Sequence, residues 1–386
     1  MIENVAYQRC TKGVWDTTVP GIRFDQNGVS NYATMIEKLA QAYPRGDKGE
    51  REWSKIVSNI KKKGKNKKYD CIIGVSGGTD SSYLMHLAIK KYGLKPLAVN
   101  LDNGWSSDIA VKNIKKITSE LEIDLETYVI DYDEVKAVLR SYMKASLPWI
   151  DSPTDLAIKA VLYKIASREN IKYILNGSDF RSEGKQPTEW TYSDAKQLLF
   201  IVKKYERIRL KSYPYYNIIK LFNYGFIKGI KMIRPFYYLD YQKVEANKFL
   251  MKYYNWEYYG GHHHENIFTK FAIAYWLPKK FDIDKRIITL SAQILNGEVK
   301  RKDAIDILQK PPYNLEQMEK DKDYVIKKLG LIPKDFTNIL QNTNKNFSNY
   351  PSYMPLLKKY HKLASKYLKL VLPVTPGILF ENEERK

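Results

Sequence analysis

Asp70-Cys71-Ile72-Ile73-Gly74-Val75-Ser76-Gly77-Gly78-Thr79-Asp80-Ser81-Ser82-Tyr83 is the stretch that decides how this chain is read. Cys71, Ile72, Ile73 and Val75 form a short apolar run that stops at a glycine pair, the pattern of a buried strand rather than a helix. Leu84, Leu87, Ala88 and Lys91 then share one side of a helix. A strand, a glycine loop and a helix N-terminus in succession favour an anion. Gly77 and Gly78 let the backbone approach a phosphate, and the first N–H groups of the helix point at the same place. Ser76, Thr79, Ser81 and Ser82 add hydroxyl donors. The loop has neither the Gly-Lys-Ser/Thr of a Walker motif nor the Gly-x-Gly-x-x-Gly of a dinucleotide fingerprint.

Ser76-Gly77-Gly78-Thr79-Asp80-Ser81 resembles the pyrophosphate loop of the N-type ATP pyrophosphatases, which include asparagine, GMP, NAD and lysidine synthetases. The resemblance implies that these residues, with Ser82 beside them, hold the β,γ-pyrophosphate of ATP. The α-phosphate is left open to attack and an adenylated intermediate forms. It also implies an α/β fold with a doubly wound, mostly parallel sheet. Pro96–Leu101 reads as the second strand and ends in Asp102-Asn103-Gly104, which is either a simple turn or the border of the adenine and ribose. A strand from Lys172 leads to Asn176-Gly177-Ser178-Asp179, where an open α/β sheet binds ligands. There the resemblance makes Gly177 a nucleotide-binding residue and makes Asp80 and Asp179 candidate carboxylates for Mg²⁺, which usually takes one or two beside phosphate oxygens.

At 386 residues, 44% of them hydrophobic, the chain has room for two or three domains. Lys plus Arg exceed Asp plus Glu by 64 to 43, a net charge of +21 that suits an anionic ligand or an acidic partner. Part of the excess lies in Lys61–Lys68, read here as a solvated linker, so charge alone does not make this a nucleic-acid protein. Cys10 and Cys71 form no disulfide framework, and residues 1 to 20 lack an apolar signal region, so a cytoplasmic protein without a membrane span is expected. Three parts are expected. Residues 1–66 form a knuckle-like segment with helices over 35–60. The pyrophosphatase domain occupies 67–240, with helices over 107–122, 132–146, 154–168 and 194–209 and a strand over 125–130. Residues 241–386 form a mainly helical region.

Residues 7–33 carry Cys10, Gly13, the hairpin signal Asn27-Gly28, Ser30 and Ala33. This segment resembles the N-terminus of the N-acetyl sugar amidotransferases of surface-polysaccharide and flagellin-sugar pathways. In that family positions 10, 13, 30 and 33 are two Cys-x-x-Cys pairs, a zinc signature. Here one thiol remains, so no zinc is expected, and the knuckle backbone should persist by packing. The family also has a similar segment to Gly260–Lys270, containing His262-His263-His264, and to Lys279–Arg301. The resemblance implies active-site roles for His263, Glu265, Lys270, Lys280 and Arg286. The expected reaction turns an acetamido group of a nucleotide-linked sugar into an acetamidino group, using ATP and Mg²⁺. Ammonia would come from a glutaminase subunit with a cyclase-like barrel subunit, similar to imidazole glycerol phosphate synthase. A tRNA-modifying pyrophosphatase and a non-catalytic scaffold are the alternatives, and nucleic acid is not the expected partner. Purified protein should contain no stoichiometric zinc by elemental analysis; about one zinc per chain would contradict this reading of the knuckle.

Overall fold

The computed structural model describes residues 6–261 and 264–360. Its centre is a parallel five-stranded sheet in the order β3-β2-β1-β4-β5. The strands are β1 (Cys71–Gly74), β2 (Pro96–Asp102), β3 (Leu125–Val129), β4 (Tyr173–Leu175) and β5 (Lys231–Ile233). Ile73 pairs with Ala98 on one side and Leu175 on the other, so β1 lies between β2 and β4. The strand order reverses there, which opens a crevice at the carboxyl ends of β1 and β4. This bears out the expected doubly wound α/β fold. β3 shows the alternating exposure of an edge strand.

Alternation within β1 divides the interior. Ile72, Ile174, Leu97 and Val99 face one helix layer, where Val161, Leu162 and Ile165 of a helix at Ser152–Arg168 close over them. Cys71, Ile73, Ala98 and Leu175 face the other, larger core, which runs from Cys10 to Tyr350. In chain order the helices that frame the sheet are α1 (Asn31–Ala42), α2 (Gly46–Gly64), α3 (Thr79–His86), α4 (Asp108–Glu120), α5 (Tyr132–Lys144) and α6 (Ser152–Arg168). Their starts follow local chemistry. Ser30, Ser107 and Asp131 accept hydrogen bonds from the first free N–H groups of α1, α4 and α5.

Three expectations change. Lys61, Lys62 and Lys63 are not linker; they are the last turn of α2, where cations face the negative end of the helix dipole. The short β5 escaped notice because its three residues, Lys231-Met232-Ile233, carry too little pattern. The knuckle segment is held from outside as well as by its own contacts, among them Cys10 N to the Trp15 carbonyl at 2.7 Å and Thr11 N to the Gly28 carbonyl at 3.0 Å. Arg301 donates to the carbonyls of Gly13 at 2.9 Å and Cys10 at 3.1 Å, and Ser291 Oγ accepts from Val14 N at 2.9 Å. Cys10 Sγ accepts from Ser30 N at 3.2 Å, and the expected turn forms at Gly28 with φ +73°. No helix among the described residues is long and apolar enough to cross a membrane.

The joint between α2 and the chain after β5 is tight. A Cβ on Gly49 would stand 2.1 Å from the Tyr238 carbonyl oxygen and 2.3 Å from that of Pro44. Helix propensity favours Ala over Gly by about 1 kcal/mol in a helix interior. Overpacking against rigid backbone outweighs this, so Gly49→Ala should destabilise the fold by roughly 1–3 kcal/mol in urea denaturation; a gain in stability would show that this joint is loose.

Candidate active site

The loop after β1 closes on itself before any ligand is considered. Ser81 Oγ accepts from Ser76 N at 3.3 Å and donates to the Gly78 carbonyl at 3.2 Å, while Ser76 Oγ accepts from Gly78 N at 3.3 Å. Gly77 has φ +78°, and a Cβ there would lie 2.2 Å from the Ala110 carbonyl oxygen in the first turn of α4. The loop therefore needs glycine at 77 for conformation and for space. A Cβ on Gly78 would meet Ser76 Oγ, Glu265 Oε1 and Tyr259 Oη at 3.1, 3.2 and 3.2 Å. The first N–H of α3, on Thr79, donates to Tyr259 Oη at 3.2 Å, so an oxygen from another segment already uses a donor of the kind a phosphate oxygen takes. Thr79 Oγ1 turns away to Asn247 at 2.6 Å. Ser82 is buried, and its hydroxyl has no hydrogen-bond partner among the described residues.

The second wall comes from β4. A Cβ on Gly177 would touch the Asp80 backbone at 2.9 Å, so the two loops are in contact. Asp80 accepts from Tyr241 and, at 2.9 Å, from Lys243 Nζ. Asp179 is buried and accepts from Arg45 at 2.9 Å, while its Oδ1 has no hydrogen-bond partner among the described residues. Burial raises the Asp179 pKa above the usual carboxylate value; Arg45 opposes the shift and Asp80 adds to it. Burial disfavours the Lys243 ammonium, but Asp80 and its neighbours outweigh that and raise its pKa. The two carboxylates thus share one crevice, each with its own cation.

Glu265 joins them through the C-terminal region. Its carbonyl accepts from Ser107 N at 2.8 Å, and Ile267 N donates to the Trp105 carbonyl at 2.9 Å, which stitches this region to the exit of β2. Asp102 accepts from Gly104 N at 2.8 Å, the geometry of a plain turn. Three further sequence candidates hold structure together instead. Lys270 pairs with Asp321 at 2.5 Å. Lys280 Nζ donates to the carbonyls of Ile339, Leu340 and Asn342 at 3.1, 2.9 and 2.6 Å, which closes the end of the helix Pro333–Gln341. Arg286 binds Asp284 and the carbonyls of Ile307 and Lys310. Their charges satisfy helix ends and a neighbouring carboxylate, a use that looks identical in sequence to ligand binding. His263, with His262, lies outside the described residues.

Several site residues gave little warning. Arg45 sits in an interhelical turn and Asn113 inside α4, where its amide binds the main chain of Glu257 at 2.8 and 2.9 Å. Lys243 did carry a signal: it opens the helix Lys243–Tyr254, where the dipole disfavours a cation unless a carboxylate compensates. Tyr259, one of the adjacent pair Tyr258-Tyr259, brings its hydroxyl to the loop from the C-terminal region. Elsewhere in the fold, Lys285 Nζ lies 3.9 Å over the buried Trp149 ring, and Trp149 donates to Asp155 at 2.8 Å.

Residues 265–364 match the family described as the C-terminal domain of WbpG-like LPS biosynthesis proteins. The match bears out the family resemblance drawn from the sequence. The uncharacterized protein MJ1599 of Methanocaldococcus jannaschii is 29% identical over 141 residues, 35% of this chain. The chain spans 47% of the length of that curated relative. Among solved structures, an NMN synthetase from Francisella tularensis is 17% identical, covering 73% of this chain and 96% of its own, with a TM-score of 0.30. An NH3-dependent NAD synthetase from Campylobacter jejuni is 15% identical, covering 78% of this chain and 97% of its own, also at 0.30. At such scores the likeness adds nothing to the fold argued from the sheet.

Burial lowers the Lys285 pKa to about 8, against the attraction of Asp155, Glu183 and Asp151. The ammonium is charged below that value and neutral above it. Because the ordinary value of 10.5 is higher, this group favours the folded state increasingly as pH rises between about 8 and 10.5. Trp149 emission should shift with a midpoint near pH 8 and lose that inflexion in Lys285→Met; a flat profile in the parent protein, or the same inflexion in the variant, would contradict the assignment.

Proposed function

We propose that this chain, whose residues 265–364 carry a WbpG-like C-terminal domain, is an ATP-dependent amidotransferase of surface-polysaccharide biosynthesis. Its substrate is a nucleotide-linked sugar whose acetamido group becomes an acetamidino group. The observation that carries this reading is the self-closed glycine loop at the carboxyl edge between β1 and β4, with the buried Asp179 and its unpartnered Oδ1 across from it. The description of the C-terminal family supports the pathway.

An amide resists ammonia because its oxygen is a poor leaving group, and adenylation removes that obstacle. The acetamido oxygen attacks the α-phosphorus of ATP, the bond to the bridging oxygen breaks, and pyrophosphate departs. Ammonia then adds to the imidate carbon, and AMP leaves with the former amide oxygen. The Ser76 hydroxyl would donate to the departing pyrophosphate, and the Thr79 N–H would join it once a phosphate oxygen displaces Tyr259 Oη. The residues also fit Mg²⁺: Asp179 offers a buried oxygen without a partner, and Asp80 adjoins it. Held by these two, Mg²⁺ would neutralise phosphate charge. Lys243 and Arg45 keep both carboxylates oriented.

The ammonia source is a partner. Burial pushes the Cys71 thiol up, which makes it a poor nucleophile, and Cys10 is buried with its sulfur accepting from Ser30 N. A glutaminase subunit docked with a barrel subunit fits this need. Incubating the chain with ATP, ammonium and a panel of acetamido sugar nucleotides should yield, by mass spectrometry, one sugar with NH in place of oxygen. Ser76→Ala and Asp80→Asn should abolish pyrophosphate release while circular dichroism stays unchanged. Undiminished release in both variants, or glutamine used as fast as ammonium by the isolated chain, would overturn the reading.

A further inference from the structure

The connection from β4 to β5 contains a helix, Ile218–Phe222, continued by a wider turn, Asn223–Ile227. None of the residues from Ile218 to Phe222 is buried. Ile219, Phe222 and Ile227 are 74%, 54% and 73% exposed, and Ile218, Leu221 and Phe226 are exposed too. Scattered apolar residues on a surface need no explanation, but a run like this marks an interaction surface. The element is firmly seated beneath its apolar crest. Tyr224 stacks on Tyr163 of α6 at 5.4 Å, Phe222 stacks on Phe226 at 4.6 Å, and Lys172 Nζ donates to the Lys228 carbonyl at 3.0 Å.

Charge selects the occupant. Between Lys203 and Lys231, Glu206 is the one acidic residue in the sequence. Arg140 and Lys144, both outside this stretch, engage it at 2.6 and 2.7 Å, so none of the stretch's own cations is shown paired with it. Lys203, Lys204, Arg207, Lys211, Lys220 and Lys228 stand in the same stretch. Protein interfaces are depleted in lysine. Exposed Ile and Phe interleaved with Lys, with Tyr at the flanks, is instead the composition that lies on anionic lipid.

We propose that the helix Ile218–Phe222 and its continuation seat this protein on the surface of an anionic bilayer. Ile219, Phe222 and Ile227 enter the acyl boundary, and Lys220 meets the headgroup phosphates. The seat is displaced from the crevice. Its far end is tied to Ser167 at the end of α6 and to Lys172 at the entry of β4, the amino edge of the sheet, whereas the loop and Asp179 lie at the carboxyl edge. Docking there leaves the crevice open to solution.

Vesicle flotation of the full chain tests this. The protein should float with vesicles containing phosphatidylglycerol and stay behind with phosphatidylcholine alone. Ile219→Asp with Phe222→Asp should weaken flotation by at least about tenfold, because the apolar crest supplies the insertion term. Lys220→Glu should weaken it less, and added salt should mimic that variant. Melting temperature and circular dichroism should stay at parent values, since these side chains are exposed. Absence of flotation, or equal flotation of the double aspartate variant, would overturn the proposal. So would a dimer in light scattering that the aspartates abolish without any vesicle binding, which would make a second copy the occupant.

Discussion

Two part-buried ion pairs govern the crevice: Asp80 with Lys243 and Asp179 with Arg45, each at 2.9 Å. Their four members come from the glycine loop, the helix after β5, the exit of β4 and the turn between α1 and α2. Pairing them fixes how distant parts of the chain meet. A buried pair adds little net stability over an apolar substitute, but for the buried Asp179 the loss of Arg45 would strand a charge, at a cost of about 3–5 kcal/mol where burial is complete. The pairs are therefore better understood as a geometric constraint than as a store of stability. They hold Asp80 close enough to Asp179 to disfavour the charge on Asp179, an opposition that a bound cation would relieve.

The C-terminal region completes this site rather than standing apart from it. Residues 265–267 pair with the exit of β2, and Thr269 Oγ1 donates to Asp151 at 2.5 Å before α6 begins. In the other direction, Ser291 and Arg301 clamp the N-terminal segment whose metal-binding residues are absent. Arg301 and Ser291 anchor residues 10–14 to the C-terminal region, and the Cys10 sulfur, accepting from Ser30 N, ties that stretch to the second half of the segment.

The sheet was legible because its information is local. A short apolar run and a glycine pair mark β1 and the loop, and apolar spacing marks the helices near 107–122 and 132–146, whose starts the structure caps with Ser107 and Asp131. The site was legible only where its residues lie next to that signature. Ser76 to Ser82 and Asp179 could be named from strand ends. Arg45, Asn113 and Tyr259 could not, because each reaches the crevice through a tertiary contact that no nearby residue announces. Lys280 and Arg286 show the opposite failure: a cation in a family segment was read as chemistry, while the fold uses it to close helix ends. Lys243 lies between these cases, since a lysine on the first turn of a helix is a local contradiction that points to a distant carboxylate.

On the proposed function, ATP is cut at its α-phosphorus. Phosphorus NMR of ATP incubated with the protein, magnesium, ammonium and an acetamido sugar nucleotide tests it most directly. The account predicts AMP and pyrophosphate in equal amounts; the appearance of ADP and inorganic phosphate would contradict it.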